Sequence, residues 1–159
     1  MKQCAWVPAD KYINAEDYFD IAHFYPPFNI KTSYGEFNVD GTYIIYKGFL
    51  YSANWPAINT DDSRRAAMVH DFGYSLMKDG VLSREFRESF DNLFYSILKE
   101  DGMPSFRAYA WLRAVQIGGE KALDAPAVKI IRSPRSKHPD QIKIAQILIG
   151  GASHYNKKD

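Results

Sequence analysis

The sequence contains one cysteine, Cys4, in 159 residues, so no intramolecular disulfide can form and a disulfide-stapled secreted miniprotein is excluded. Neither sign of charge is in excess: 20 Lys+Arg against 19 Asp+Glu leave a formal charge of +1. That balance lacks the phosphate-neutralising surface of a dedicated nucleic-acid binder. No apolar run reaches the roughly 18 residues that a transmembrane helix needs. Residues 1–8 are too short and too weakly apolar for a signal peptide, so none is expected. Internal repeats, low-complexity tracts, a phosphate-binding glycine loop and a Ser-His-Asp spacing are also missing.

What is present is an ordinary soluble composition, 46% hydrophobic and 25% charged, with an unusual 15% of aromatic residues. The length fits one domain spanning 1–159. In the first third, Asn14 is positioned to cap a short helix with Tyr18, Phe19, Ile21 and Ala22 on its apolar side, ended by Pro26-Pro27. From residue 28 to 51 the chain is rich in Tyr, Phe, Ile and Thr, and Asp40-Gly41 gives a two-residue hairpin signal between 37–39 and 42–46. Lys47-Gly48 marks a second break before Phe49-Leu50-Tyr51.

The middle reads as helical. Thr60, Asp61, Asp62 and Ser63 offer N-caps for a helix over 64–78, closed by Asp79-Gly80. Ser83 caps a second helix to about residue 100, with Phe86, Phe90, Leu93, Phe94, Ile97 and Leu98 as its buried stripe. The short connection predicts antiparallel packing of the two. A third helix over 105–117 is expected to stop at Gly118-Gly119. Beyond it, 127–131 reads as a strand, 133–139 as a basic loop, and 141–149 as a helix or a buried strand, helix preferred. The expected fold class is α+β: a small antiparallel N-terminal sheet packed on an antiparallel helix pair plus a third helix.

One constellation points to chemistry. His70, Asp71 and Tyr74 form His-Asp-x-x-Tyr; His70 and Tyr74 share a helix face, and Asp71 is turned about 100° away. On the facing helix, Arg87, Asp91 and Phe94 make one stripe. Antiparallel packing brings Asp91 toward His70, where a carboxylate orients the imidazole and stabilises its protonated form, leaving the other nitrogen to deprotonate a water. Asp71 offers oxygen to a hard cation such as Ca²⁺. The plainer alternative is a core histidine on a structural carboxylate, with Arg87 and Asp91 as an i,i+4 surface ion pair.

The run Arg65-Ala66-Ala67-Met68-Val69-His70-Asp71-Phe72-Gly73-Tyr74 resembles the central motif of an uncharacterised family of small phage and prophage proteins, a domain of unknown function. Arg87-x-x-x-Asp91-x-x-Phe94 and Ala114-Val115-Gln116-Ile117-Gly118-Gly119 are similar to its next two signatures, in the same order. Gly48-Phe49 followed by Ser52-Ala53-Asn54-Trp55-Pro56 is similar to an upstream segment in which the family carries an aspartate; here the nearby residue is Tyr51. The resemblance covers roughly 42–119. That helix pair also resembles the catalytic core of secretory phospholipases of the A2 type. The resemblance implies His70 as general base toward water, Asp91 as its partner, Tyr74 as hydrogen-bonding support and Asp71 as a calcium ligand. Gly35, Gly41 and Gly48 are too widely spaced for the glycine-rich calcium loop of such enzymes. One carboxylate cannot hold Ca²⁺, and the backbone between Gly48 and Trp55, the segment placed to supply further oxygens, lacks the family's aspartate, so weak divalent binding or none is expected.

Two functions follow. One is a phage-encoded hydrolase acting on a lipid or other ester through His70 and Asp91, with a cation at Asp71. The other is a virion structural or assembly protein that keeps the helix pair as scaffold, to which the many aromatics lend support because they favour interfaces as well as cores. Either implies a place in the virion or the host cytoplasm. A His-Asp phosphohydrolase arrangement would draw on His23 with Asp124 or Asp140, and the strand-rich N-terminal third argues against it. His138 and His154 read as solvated loop and tail residues. Arg132, Arg135, Lys137, Lys157 and Lys158 read as a solvated edge, with contact to an acidic partner as the lesser alternative.

Overall fold

A computed structural model describes residues 4–7, 11–52 and 60–124. Seven short strands precede three helices: β1 (Cys4–Val7), β2 (Lys11–Asn14), β3 (Tyr18–Ile21), β4 (Ile30–Lys31), β5 (Gly35–Phe37), β6 (Thr42–Ile45) and β7 (Leu50–Tyr51), then α1 (Asp61–Lys78), α2 (Arg87–Glu100) and α3 (Ser105–Asp124). The strands form two antiparallel sheets, ordered β1-β2-β7 and β3-β6-β5-β4. The expected α+β class is found. Expectations over 127–131, 133–139 and 141–149, with Asp140, His138, His154 and the basic tail, lie outside the described residues. Among the described residues no helix is long and apolar enough to cross a membrane.

The helix expected from Asn14 to Ala22 is a strand pair instead. Tyr18 turns inward while Phe19 and Ile21 are exposed, and the whole strand pairs with β6, Tyr18 opposite Ile45 and Ile21 opposite Thr42. A helix of that length is marginal on its own, so the ladder wins. Asn14 ends β2, and its side chain does not cap a helix. Its Nδ2 donates to the Ile45 carbonyl at 3.0 Å, while its backbone N–H reaches the Phe49 carbonyl at 2.9 Å. A buried asparagine thus joins the end of one sheet to the other.

The Asp40-Gly41 hairpin forms with a three-residue loop and not the expected two. Gly41 N–H donates to the Asn38 carbonyl and Asn38 N–H to the Thr42 carbonyl, both at 2.9 Å, leaving Val39, Asp40 and Gly41 in the loop. Gly41 has φ +83°, the left-handed conformation that a loop of this kind requires of its last residue.

Helix α1 begins at Asp61, earlier than residue 64, because Thr60 serves as the cap: the Ser63 hydroxyl accepts the Thr60 N–H at 3.3 Å and donates to the Thr60 carbonyl at 2.7 Å. The first turn after Ser83, Arg84–Phe86, is a 3₁₀ turn that runs into α2. Contacts fix the packing direction. Arg65 meets Glu100 and Asp101, His70 meets Asp91, and Gly73 faces Phe90, so α1 and α2 run antiparallel as expected. Phe94 against Trp111, Arg87 on Gln116 and Arg84 on Asp124 set α3 antiparallel to α2.

Helix α3 does not stop at Gly118-Gly119 but continues to Asp124. A Cβ at Gly119 would collide with Tyr74 Oη, so this glycine permits close approach of α3 to α1 and does not terminate a helix. Phe72, fully buried on α1, joins the helices to the four-stranded sheet: Tyr34 and Phe49 meet it edge-on and Tyr43 stacks on it. Much of the aromatic excess is therefore core.

Gly73 tests how close the helices are. In an exposed helix interior, Gly→Ala stabilises by about 0.5–1 kcal/mol. Here the added methyl would overlap the Phe90 ring, and overpacking costs about 1–3 kcal/mol. Gly73→Ala is expected to lower the melting temperature; a rise would show that α1 and α2 separate freely at this point.

Candidate functional site

Helix α1 presents Ala67, His70, Asp71 and Tyr74 on neighbouring turns toward α2, α3 and β7. His70 Nε2 lies 2.8 Å from Asp91 Oδ1, and Tyr74 Oη donates to the same oxygen at 2.9 Å. A carboxylate only accepts, so Nε2 is the donor in this contact. Nδ1 has no hydrogen-bond partner among the described residues. Asp91 is 1% exposed, and its Oδ2 is without a partner among the described residues. The imidazole is flanked by Tyr74 at 4.1 Å and Phe94 at 5.2 Å between ring centroids. Burial first, and then the charge of Asp91, push the Tyr74 phenol well above its ordinary value, so it stays a donor.

The three residues expected to meet, His70, Asp91 and Tyr74, do meet. The alternative Arg87–Asp91 surface pair does not form: Asp91 turns inward, and Arg87 Nη1 donates to the Gln116 carbonyl at 3.3 Å. Nor is His70 sealed. It lines a cleft of about 440 Å³ together with Ser52, Asp71, Tyr74, Phe94, Trp111 and Val115, with Gly118, Gly119 and Lys121 along the α3 side. Phe90 packs on Phe37 and Phe24. The walls are chiefly apolar, and the polar groups gather around the imidazole.

Asp71 meets a backbone amide: Ser52 N–H donates to its Oδ2 at 2.7 Å. Among the described residues no three His, Cys, Asp or Glu converge as a metal cage, and a single carboxylate is far short of the roughly 6–8 oxygens that Ca²⁺ takes. Among the described residues, the phosphohydrolase alternative finds no geometry either. His23 is exposed between β3 and β4, and Asp124 pairs with Arg84 at 2.7 Å, away from the cleft.

The sequence gives no role to Trp111. Ser52 and Val115 appear only as members of family-like segments, and Gly119 only as a helix end and a motif member. Sequence reasoning also passed over Arg65, whose guanidinium reaches Glu100 at 2.7 Å, Asp101 at 3.0 Å and Tyr18 Oη at 3.2 Å, clamping sheet to helices. No family model, curated protein or solved structure matches this chain.

Asp91→Ala strips an acceptor from the buried Tyr74 hydroxyl and from the half-buried His70 imidazole. Leaving a buried donor unpaired costs about 1–3 kcal/mol. The melting temperature should fall accordingly, and less in Asp91→Asn, whose carbonyl still accepts; an unchanged value would mean that the pair is energetically idle.

Alkaline pH tests the buried phenols. Burial and the Asp20 hydrogen bond push Tyr18 up to about 12 from 10.0, and burial raises Tyr43 and Tyr74 further. A raised folded value favours the neutral phenol, so this stabilisation is intact below pH 10 and is lost as pH climbs from there through 12. Tyrosinate absorbance of these residues should appear together with loss of helical circular dichroism. Full ionisation with the fold intact would contradict it.

Proposed function

We propose that this protein is a phage-encoded hydrolase of acyl esters in which His70 is the general base. The observation that carries the reading is the buried Asp91 carboxylate, which holds His70 Nε2–H at 2.8 Å while the ring lines an apolar cleft. Nδ1 takes a proton from water, and the hydroxide so formed attacks the ester carbonyl. The imidazolium is stabilised by Asp91 and returns its proton to the departing alkoxide. Tyr74 fixes the carboxylate through Oδ1 and does not ionise at working pH. Phe94, Trp111 and Val115 suit an acyl or other apolar group. The likeness of the His-Asp-x-x-Tyr helix to that of phospholipase A2, and of three ordered motifs to phage proteins, supports a lipid or simple ester as substrate and a phage source.

A second reading, a virion or assembly protein, draws support from Phe106, Tyr109 and Ile117. These stand 80%, 58% and 73% exposed on the face of α3 opposite the cleft. Hydrolysis of phospholipid vesicles and chromogenic esters, with mass spectrometry of purified particles, separates the two.

Removing a general base costs about 10²–10⁴-fold in rate. His70→Asn is expected to lose ester turnover by that factor while remaining folded. Turnover no faster than buffer on either substrate class, or an active His70→Asn, would overturn the hydrolase reading.

A further inference from the structure

Asp71 stands one residue after the imidazole, where the resemblance calls for a calcium ligand, and the backbone facing it has the wrong polarity for that task. Ser52 N–H points at Asp71 Oδ2 across 2.7 Å. A trans peptide sets its N–H and C=O on opposite sides. The peptide that gives Asp71 the Ser52 N–H therefore turns the Tyr51 carbonyl away from the carboxylate. A cation cage needs the reverse, with carbonyl oxygens converging beside the carboxylate. Ser52 is also not free to rotate into that arrangement, because it follows directly on β7, where Leu50 and Tyr51 pair with Ile13 and Tyr12 and the Tyr51 ring stacks on Tyr12 at 5.6 Å.

We propose that Asp71 is an amide anchor: its carboxylate ties the end of the three-stranded sheet to α1 and so fixes the Ser52 wall of the cleft beside His70, in place of holding a divalent cation. The contact is a charge-assisted hydrogen bond, shorter and stronger than one between neutral groups. It joins the two elements at the spot where Ser52, His70 and Asp71 line one cavity. Asp71 is then a positioning residue, and its role does not depend on whether the cleft hydrolyses anything.

The test uses the full chain, isotope-labelled, with Ser52 amide exchange and Ca²⁺ titration as readouts, neither of which requires turnover. Asp71→Asn keeps an oxygen that accepts the amide but loses the charge that a cation needs, whereas Asp71→Ala loses both. Loss of the bond in Asp71→Ala is expected to speed Ser52 exchange about tenfold or more, with Asp71→Asn restoring most of the protection. Millimolar Ca²⁺ should leave the Ser52 and Asp71 resonances of the unsubstituted protein unmoved. Saturable sub-millimolar Ca²⁺ binding abolished by Asp71→Asn would overturn the proposal. So would an Asp71→Asn protein whose Ser52 exchanges as fast as the solvent-exposed amides; because Asn is nearly isosteric, this arm stands even where the alanine variant fails to fold.

Discussion

A carboxylate at 1% exposure between two helices is tolerable only when the surrounding groups replace its water, and Asp91 sets that condition for the whole helical half. Two donors answer it, His70 and Tyr74, both on α1 and both aimed at Oδ1. Because they are i and i+4, they bind one oxygen only if α1 and α2 hold a single register. A slide by one residue would leave a charge uncompensated, at a cost of several kcal/mol. Gly73 and Gly119 follow from the same requirement. Gly73 lets the Phe90 ring lie against α1, and Gly119 leaves room for the Tyr74 hydroxyl under α3.

The strands serve this arrangement from the other side. Phe72 is next but one to His70 and faces the sheet, where Tyr34, Tyr43 and Phe49 enclose it. Locking that ring fixes the rotation of α1 about its axis, and with it the direction in which His70 points. Arg65 adds a polar clamp a turn earlier, from Tyr18 on β3 to the end of α2. At the next residue after Asp71, then, the helix is held by the core, and at Asp71 itself by the Ser52 amide.

The parts legible in the sequence were those whose cause is local or periodic. His70, Tyr74 and Asp91 could be placed together because matching stripes on two helices with a short connection admit one antiparallel packing. Asn14 could not be placed, because its side-chain partner, the Ile45 carbonyl, is 31 residues away and exists only once both sheets have formed. The local cap signal at Asn14 was outweighed by a ladder invisible to any window around it. Gly118-Gly119 failed for a related reason: a glycine pair reads as a helix end unless one knows that a tyrosine oxygen from another helix needs the space. Ser52 carried no signal for its contact with Asp71, since its backbone and not its side chain is what meets the carboxylate.

The arrangement that stabilises the fold is also the one that general-base chemistry requires. An exposed His-Asp pair is worth little, because water screens it and competes for both groups. Away from bulk water, such a pair gains in strength as the local polarity falls. Nε2 is thereby held on the carboxylate. The apolar walls supplied by Phe94, Trp111 and Val115 then act twice. They keep bulk water from competing for Asp91, and they pack α2 and α3 beside the imidazole. A cleft opened further by loss of these side chains would therefore weaken the His70–Asp91 contact and the helix packing together. For that reason site and core cannot be treated as separate regions of this molecule.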